Sequence, residues 1–299
     1  MNPKEILLNT FGYHDFRGEQ KEIIDTVIAG GDALVLMPTG SGKSICYQIP
    51  SLIRKGVGIV ISPLIALMDN QVSSLRHIGI RASYINSSLS LSEIKNIESE
   101  LKKGKIDILY VAPERLFMEN FLNLIDGLNN TIGLALFAID EAHCVSEWGH
   151  DFRPEYRRLT ILHERFPNIP RIALTATADT PTRKEIVERL KLEKSMVFIS
   201  SFDRQNINYH ISYKDKAKQQ LLKFIKTEYI NESGIVYCLS RKKVEQTAEF
   251  LCSNGLTALP YHAGLSSDIR KSNQKKFLTD EGAIIMVATI AFGMGIDKP

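Results

Sequence analysis

The chain has 299 residues, 44% of them hydrophobic and 24% charged, with a formal net charge of +3. That supplies apolar material for one large core or two smaller ones, with two domains the expected division, and it permits a nucleic-acid partner without demanding one. No apolar run is long enough for a signal peptide or a membrane span, and Cys46, Cys144, Cys238 and Cys252 form no C-x-x-C pair, so neither a zinc site nor a disulfide framework is expected and a reduced cytosolic compartment fits.

In chain order, the first informative element is the apolar run 33–37, a predicted strand that leads into Met37-Pro-Thr-Gly-Ser-Gly-Lys-Ser44 and then a helix-compatible segment from Ile45. Strand, glycine-rich loop and helix in that order read as a phosphate-binding loop. Gly40 and Gly42 let backbone N–H groups turn toward a polyphosphate, Lys43 can reach the β- and γ-phosphates, and the Ser44 hydroxyl can ligand Mg²⁺. Met37 stands where the general pattern has glycine. A chance lysine in a glycine-rich turn is the bland alternative.

Further strands are predicted at 57–61, 82–85 and 106–111, with helices over 64–77 and 92–103, the latter opening on a Ser90-Leu-Ser-Glu93 capping box. The run 134–139 then enters Asp140-Glu-Ala-His143. In parallel sheets ligands bind at the carboxyl ends of strands, so Asp140 is expected to face the loop and hold Mg²⁺, and Glu141 to orient and deprotonate the attacking water. A strand ending in acids is by itself most often a solvated turn; behind a phosphate loop it completes a nucleotide site. Strands at 171–174 and 196–199 close the first half. The polar stretch 200–206 marks a domain boundary, giving domains 1–205 and 206–299, and the second half has predicted strands at 207–213, 235–238, 258–262 and 284–288 with no phosphate loop of its own.

Taken together these motifs resemble a RecQ-type DNA helicase of superfamily 2 along the whole chain. Phe11-Gly-Tyr13 and Phe16-Arg-Gly-Glu-Gln20 resemble the family's adenine-recognition motif, and the loop at 37–44 its phosphate loop, Met37 included. Ser62-Pro-Leu-Ile-Ala-Leu-Met68, Ala112-Pro-Glu-Arg115 and Thr175-Ala-Thr177 match its other first-domain motifs; Ile235-Val-Tyr-Cys-Leu-Ser-Arg241, Tyr261-His-Ala-Gly264 and the run from Val287 to Asp297 match those of the second. The strongest discriminator is Ser146-Glu-Trp-Gly-His-Asp-Phe-Arg-Pro-Glu-Tyr156, an aromatic loop directly after the acidic motif.

The resemblance implies two RecA-like P-loop NTPase domains with parallel sheets flanked by helices, the second incomplete at its C-terminal end. It implies nucleotide contacts from Tyr13, Phe16, Arg17, Gln20, Thr39, Gly40, Ser41, Gly42, Lys43, Ser44 and Asp297. Gln20 can pair with adenine N6 and N7, Tyr13 or Phe16 can stack, and Arg17 can approach the phosphates or the ring; an N-terminal helix cap with aromatics on the core is the alternative. Lys43, Asp140, Glu141 and His143 form the catalytic set, His143 sensing the γ-phosphate, and Thr175 and Thr177 couple hydrolysis to movement. Trp148 and Phe152 offer π faces to unpaired bases, with His150 and Arg153 beside them for backbone charge, although buried tryptophan is the commoner fate. Ser240, Arg241 and Thr289 take phosphate oxygens of a single strand; solvated loop residues are the alternative.

The implied activity is ATP-dependent 3′→5′ unwinding of single-stranded and partly duplex DNA in repair and recombination, with ATP and Mg²⁺, in the cytoplasm at the nucleoid. The family's Gln-x-x-Gly-Arg-x-Gly-Arg motif, which carries the arginine finger, is absent from the sequence, which ends at Pro299. The chain therefore resembles a truncated form, with an exposed strand edge expected beside 284–288. A module that binds ATP and DNA with little turnover is the competing expectation.

Overall fold

The computed structural model describes residues 2–146, 152–201, 207–279, 282–289 and 292, Ala66 by its backbone only. Contacts divide the chain into two compact units, Met1–Asn206 and Ile207–Pro299.

The first unit is built on seven parallel strands: β1 (Ala33–Leu36), β2 (Val57–Ile61), β3 (Ala82–Ile85), β4 (Ile108–Val111), β5 (Leu134–Ile139), β6 (Arg171–Thr175) and β7 (Met196–Ile199). They lie in the order β3-β4-β2-β5-β6-β1-β7. Five of them are buried throughout, as near-continuous apolar runs except for Arg171 and Thr175 at the ends of β6, the signature of a parallel sheet covered on both faces. Strand alternation divides the core: Ala33, Val35 and Met37 pack into one face, Leu34 and Leu36 into the other. Met37 is thus a core residue, which explains a bulky side chain where a phosphate loop usually has glycine.

Helix Ile45–Ile53 leaves the phosphate loop and lies close on β2. A Cβ at Gly58 would stand 2.2 Å from the Ser51 hydroxyl oxygen, so glycine is what lets this helix, and the loop in front of it, approach the sheet. The capping box at Ser90 is present at the start of helix Leu91–Lys102.

At the amino-terminal ends of β6 and β1, Arg171, 4% exposed, pairs with Asp32 and donates to the carbonyls of Leu190 and Lys191. Removing one member of such a pair strands the other. Asp32→Ala is expected to lower the stability of this unit by about 3 kcal/mol, and Asp32→Leu combined with Arg171→Met by clearly less. Urea melts of the two variants check this; equal losses would mean that packing, not the charge, is what Asp32 supplies.

The second unit has three parallel strands, β8 (Gly234–Tyr237), β9 (Thr257–Tyr261) and β10 (Ile284–Ala288), in the order β8-β10-β9. Two expectations are corrected here. Residues 284–288 form the central strand, because their side chains are buried on both faces; among the described residues the edges are β8 and β9. Residues 207–213 alternate apolar and polar but form no strand: Tyr209, Ile211 and Tyr213 are 80%, 95% and 101% exposed, so no surface is there to reward the alternation.

Candidate nucleotide site

The carboxyl ends of β1, β6 and β5 bring the first-unit motifs to one edge. Gly40 and Gly42 have φ of +78° and +82°, the left-handed region that a phosphate loop needs and that glycine enters without strain. Thr39 and Gly40 are exposed, and Ser41, Gly42, Lys43 and Ser44 are half-buried. Ser41 Oγ donates to the Pro38 carbonyl at 2.6 Å, tightening the turn.

Gln20 is 2% exposed, with its amide already engaged. Nε2 donates to the carbonyls of Ser41 and Gly42 at 3.1 and 3.2 Å, and Oε1 accepts from the Arg17 N–H at 2.8 Å. The Nε2 group is therefore engaged on the loop, while Oε1 keeps a second lone pair for a purine N–H. Phe16 packs against the cluster of Ile6, Leu7, Ile24 and Ile49, whereas Tyr13 is exposed and carries the Arg17 guanidinium 6.0 Å from its ring centroid.

At the end of β5 the Asp140 N–H is held by the Ile61 carbonyl at 2.9 Å, and the Asp140 carboxylate accepts from the Glu141 N–H at 3.0 Å. Burial and the neighbouring Glu141 carboxylate push the Asp140 carboxyl well above the usual carboxylate range, and the Lys43 ammonium opposes this shift. Loop lysine and acid pair, about a hundred residues apart in sequence, therefore share one electrostatic environment. Glu141 has φ +50° and ψ +46°.

His143 Nδ1 lies 2.9 Å from Thr175 Oγ1 and 3.3 Å from Glu141 Oε2. Thr175 Oγ1 donates to the Thr177 carbonyl at 3.0 Å and accepts from the Thr177 N–H at 3.1 Å. A hydroxyl has one proton, which Thr175 can give either to the Thr177 carbonyl or to His143 Nδ1; with the imidazole proton on Nδ1, His143 donates toward Thr175 and the Glu141 carboxylate. His143, Thr175 and Thr177 are thus joined as a single chain with Glu141.

Trp148, His150 and Asp297 lie outside the described residues. Phe152 is 36% exposed, with the Arg157 guanidinium 5.8 Å from its ring centroid, and the Arg153 N–H donates to the Cys144 carbonyl. In the second unit Ser240 caps helix Arg241–Ser253 by accepting from the Lys243 N–H at 3.3 Å, which leaves its own proton to donate. Arg241 starts that helix and lies beside Gly264; the Thr289 N–H is bound to the Tyr261 carbonyl.

Sequence reasoning missed a buried polar chain behind the loop. The Tyr47 hydroxyl hydrogen-bonds the Ser44 side chain and lies 3.1 Å from that of Tyr110; Gln48 Nε2 donates to Tyr110 at 3.3 Å and to Gln71 Oε1 at 3.1 Å. Tyrosine inside the fully buried run Ile108–Val111 was the available signal, since a buried phenol needs a partner. Ser62 Oγ and Asn86 Nδ2, beyond the ends of β2 and β3, are buried without a hydrogen-bond partner among the described residues. Ser62 opens the motif 62–68 singled out in the sequence, whereas no pattern marks Asn86.

Parallel α/β units with these loops define the class: two RecA-like helicase domains. Residues 17–186 match the family described as DEAD/DEAH box helicase, and residues 216–299 the helicase conserved C-terminal domain. The chain is 47% identical over 294 residues to the ATP-dependent DNA helicase RecQ of Pasteurella multocida, covering 98% of this chain and 46% of that protein. It is 43% identical over 297 residues to RecQ of Bacillus subtilis, covering 99% and 49%. The chain thus spans less than half the length of these curated relatives. Among solved structures, the DUF1998 helicase MrfA bound to DNA shares the fold at a TM-score of 0.73 and 18% identity, over 99% of this chain and 45% of that one. The Saccharomyces cerevisiae dbp5 chain shares it at 0.70 and 14%, over 100% and 75%. The chain belongs to the DEAD/DEAH box helicase family, and its helicase core is of the RecQ type.

Proposed function

We propose that this chain is the ATP-hydrolysing core of a DNA helicase that moves 3′→5′ on one strand and serves DNA repair and recombination. The observation that carries the reading is the convergence of Lys43, the Asp140–Glu141 pair and the His143–Thr175 contact at one end of the sheet. Similarity to RecQ proteins from two bacteria supports DNA, rather than another polymer, as the track.

Lys43 and the glycine-turned backbone hold the β- and γ-phosphates, and Glu141 takes the proton of the attacking water. Ser44 and Asp140 hold Mg²⁺, which when bound neutralises charge on the phosphoryl oxygens. The donor set fits a cation: burial and the adjacent Glu141 carboxylate push the Asp140 carboxyl up, and a positive charge there acts in the same sense as Lys43, which lowers it. Tyr13, Arg17 and Gln20 take the base side of the nucleotide and Asp297 its ribose. Trp148, His150, Phe152 and Arg153, with Ser240, Arg241 and Thr289, take the single strand.

ATP hydrolysis by the chain, measured with and without single-stranded DNA and with an RNA oligomer of the same sequence, tests this. Stimulation by DNA above that by RNA is expected. Turnover indifferent to either polymer sinks the DNA reading, and faster release of a 5′-tailed than a 3′-tailed partial duplex sinks the direction.

A further inference from the structure

We propose that Tyr156 is a positioning residue for Glu141, holding the peptide that joins it to Asp140; this rests on the ATPase reading of the acid pair. Tyr156 is fully buried in the helix Pro154–Arg157, and its hydroxyl donates to the Asp140 carbonyl at 2.9 Å. That carbonyl belongs to the Asp140–Glu141 peptide, whose N–H is bound by the Asp140 carboxylate at 3.0 Å. Both polar atoms of one peptide are therefore fixed, and rotating its plane breaks both bonds at once.

The fixation has something to oppose. Glu141 has φ +50°, a left-handed conformation disfavoured for a residue with a Cβ by a factor on the order of 10. Such conformations persist where the surroundings over-determine them. A flip of the preceding peptide is the usual way out, and it would carry the Glu141 N–H away from the Asp140 carboxylate that accepts from it, loosening the geometry of the acid pair. A hydrogen bond is worth a population factor of about the same size as the strain, so the Tyr156 hydroxyl decides which peptide orientation predominates.

Tyr156 also lies where the chain returns to the acidic motif. The Arg153 N–H is bound to the Cys144 carbonyl at 2.9 Å and the Tyr156 N–H to the Arg153 carbonyl at 3.0 Å, so the hydroxyl is delivered by backbone anchored on the motif it supports.

Tyr156→Phe keeps the ring and its burial and deletes only the donor. The expected result is a kcat for ATP about tenfold lower, a KM for ATP within twofold, a melting temperature lower by about 2–5 °C, and hydrogen exchange at 140–145 several-fold faster in the nucleotide-free chain. Unchanged kcat with unchanged exchange overturns the proposal. So does faster exchange spread across the whole first unit, the mark of a tyrosine that serves only the core. A parent chain that neither binds nor hydrolyses ATP would sink the ATPase reading, and the exchange comparison would still decide whether the Tyr156 bond holds the peptide.

Discussion

Replacing Lys43 with alanine is expected to weaken Mg²⁺-ATP binding by on the order of 100-fold and to leave no measurable turnover. The charge does two things in this fold. In the proposed reading it is brought to the phosphates by the glycine turn at Gly40 and Gly42 and by the helix that begins at Ile45. It also opposes the upward shift of the Asp140 carboxyl that burial and Glu141 impose. Without it, two neighbouring carboxylates confront an anionic ligand, so the loss falls at the upper end of the about 1.5–3 kcal/mol that one charged hydrogen bond is worth. Titration with a fluorescent ATP analogue, beside circular dichroism to confirm the fold, gives the measurement. A folded variant with unchanged affinity would remove Lys43, and with it the loop, from the site.

The sheet was legible because its strands are fully buried: runs such as Leu134–Ile139 and Val57–Ile61 carry no competing periodicity, so their limits are visible as changes in composition. Residues 207–213 show where that logic fails. Alternation of Ile207, Tyr209, Ile211 and Tyr213 is a local pattern, whereas a strand requires a neighbour to accept its hydrogen bonds and a surface to cover one face, and neither is encoded in the segment itself. The placement of Ile284–Ala288 at the centre of its sheet is likewise a property of strand order, which composition does not carry.

At the site, charged and glycine residues were readable in combination: Asp-Glu at a strand end is by itself most often a solvated turn, but behind a Gly-Ser-Gly-Lys loop it completes a nucleotide site. What joins them was not. Gln20 was readable as an amide, but that it is spent on the loop carbonyls of Ser41 and Gly42 depends on how close the N-terminal segment comes to the loop. Tyr47, Tyr110 and Tyr156 look like core aromatics in sequence and are core aromatics in structure; only the positions of their hydroxyls give them a second part to play.

The largest opposition of stability and function is expected at Asp140. Its carboxyl sits above the usual carboxylate range through burial and the adjacent Glu141, which means that the fold favours the protonated form. For a carboxyl raised in the folded state the sign is unfavourable to stability at neutral pH. The penalty is absent below the unfolded value of about 3.9 and grows as pH rises through the folded value. Asp140→Asn keeps an oxygen to accept from the Glu141 N–H and removes the charge. In metal-free buffer with chelator at pH 8 the variant is therefore expected to melt about 2–4 °C above the parent, the response of a domain of this size to roughly 1 kcal/mol, and the gap should close by about pH 4. Comparing variant with parent at each pH cancels the titration of groups that do not interact with Asp140. Added Mg²⁺-ATP should then raise the melting temperature of the parent and leave the variant where it was, because the cation that offsets the acid pair has lost its ligand. A variant less stable than the parent at pH 8 without metal would mean that the carboxylate is satisfied within the fold, and an undiminished shift with Mg²⁺-ATP would mean that the metal is held elsewhere. The expected outcome, a residue that weakens the empty protein and is needed by the loaded one, is what a charge retained for its ligand should produce.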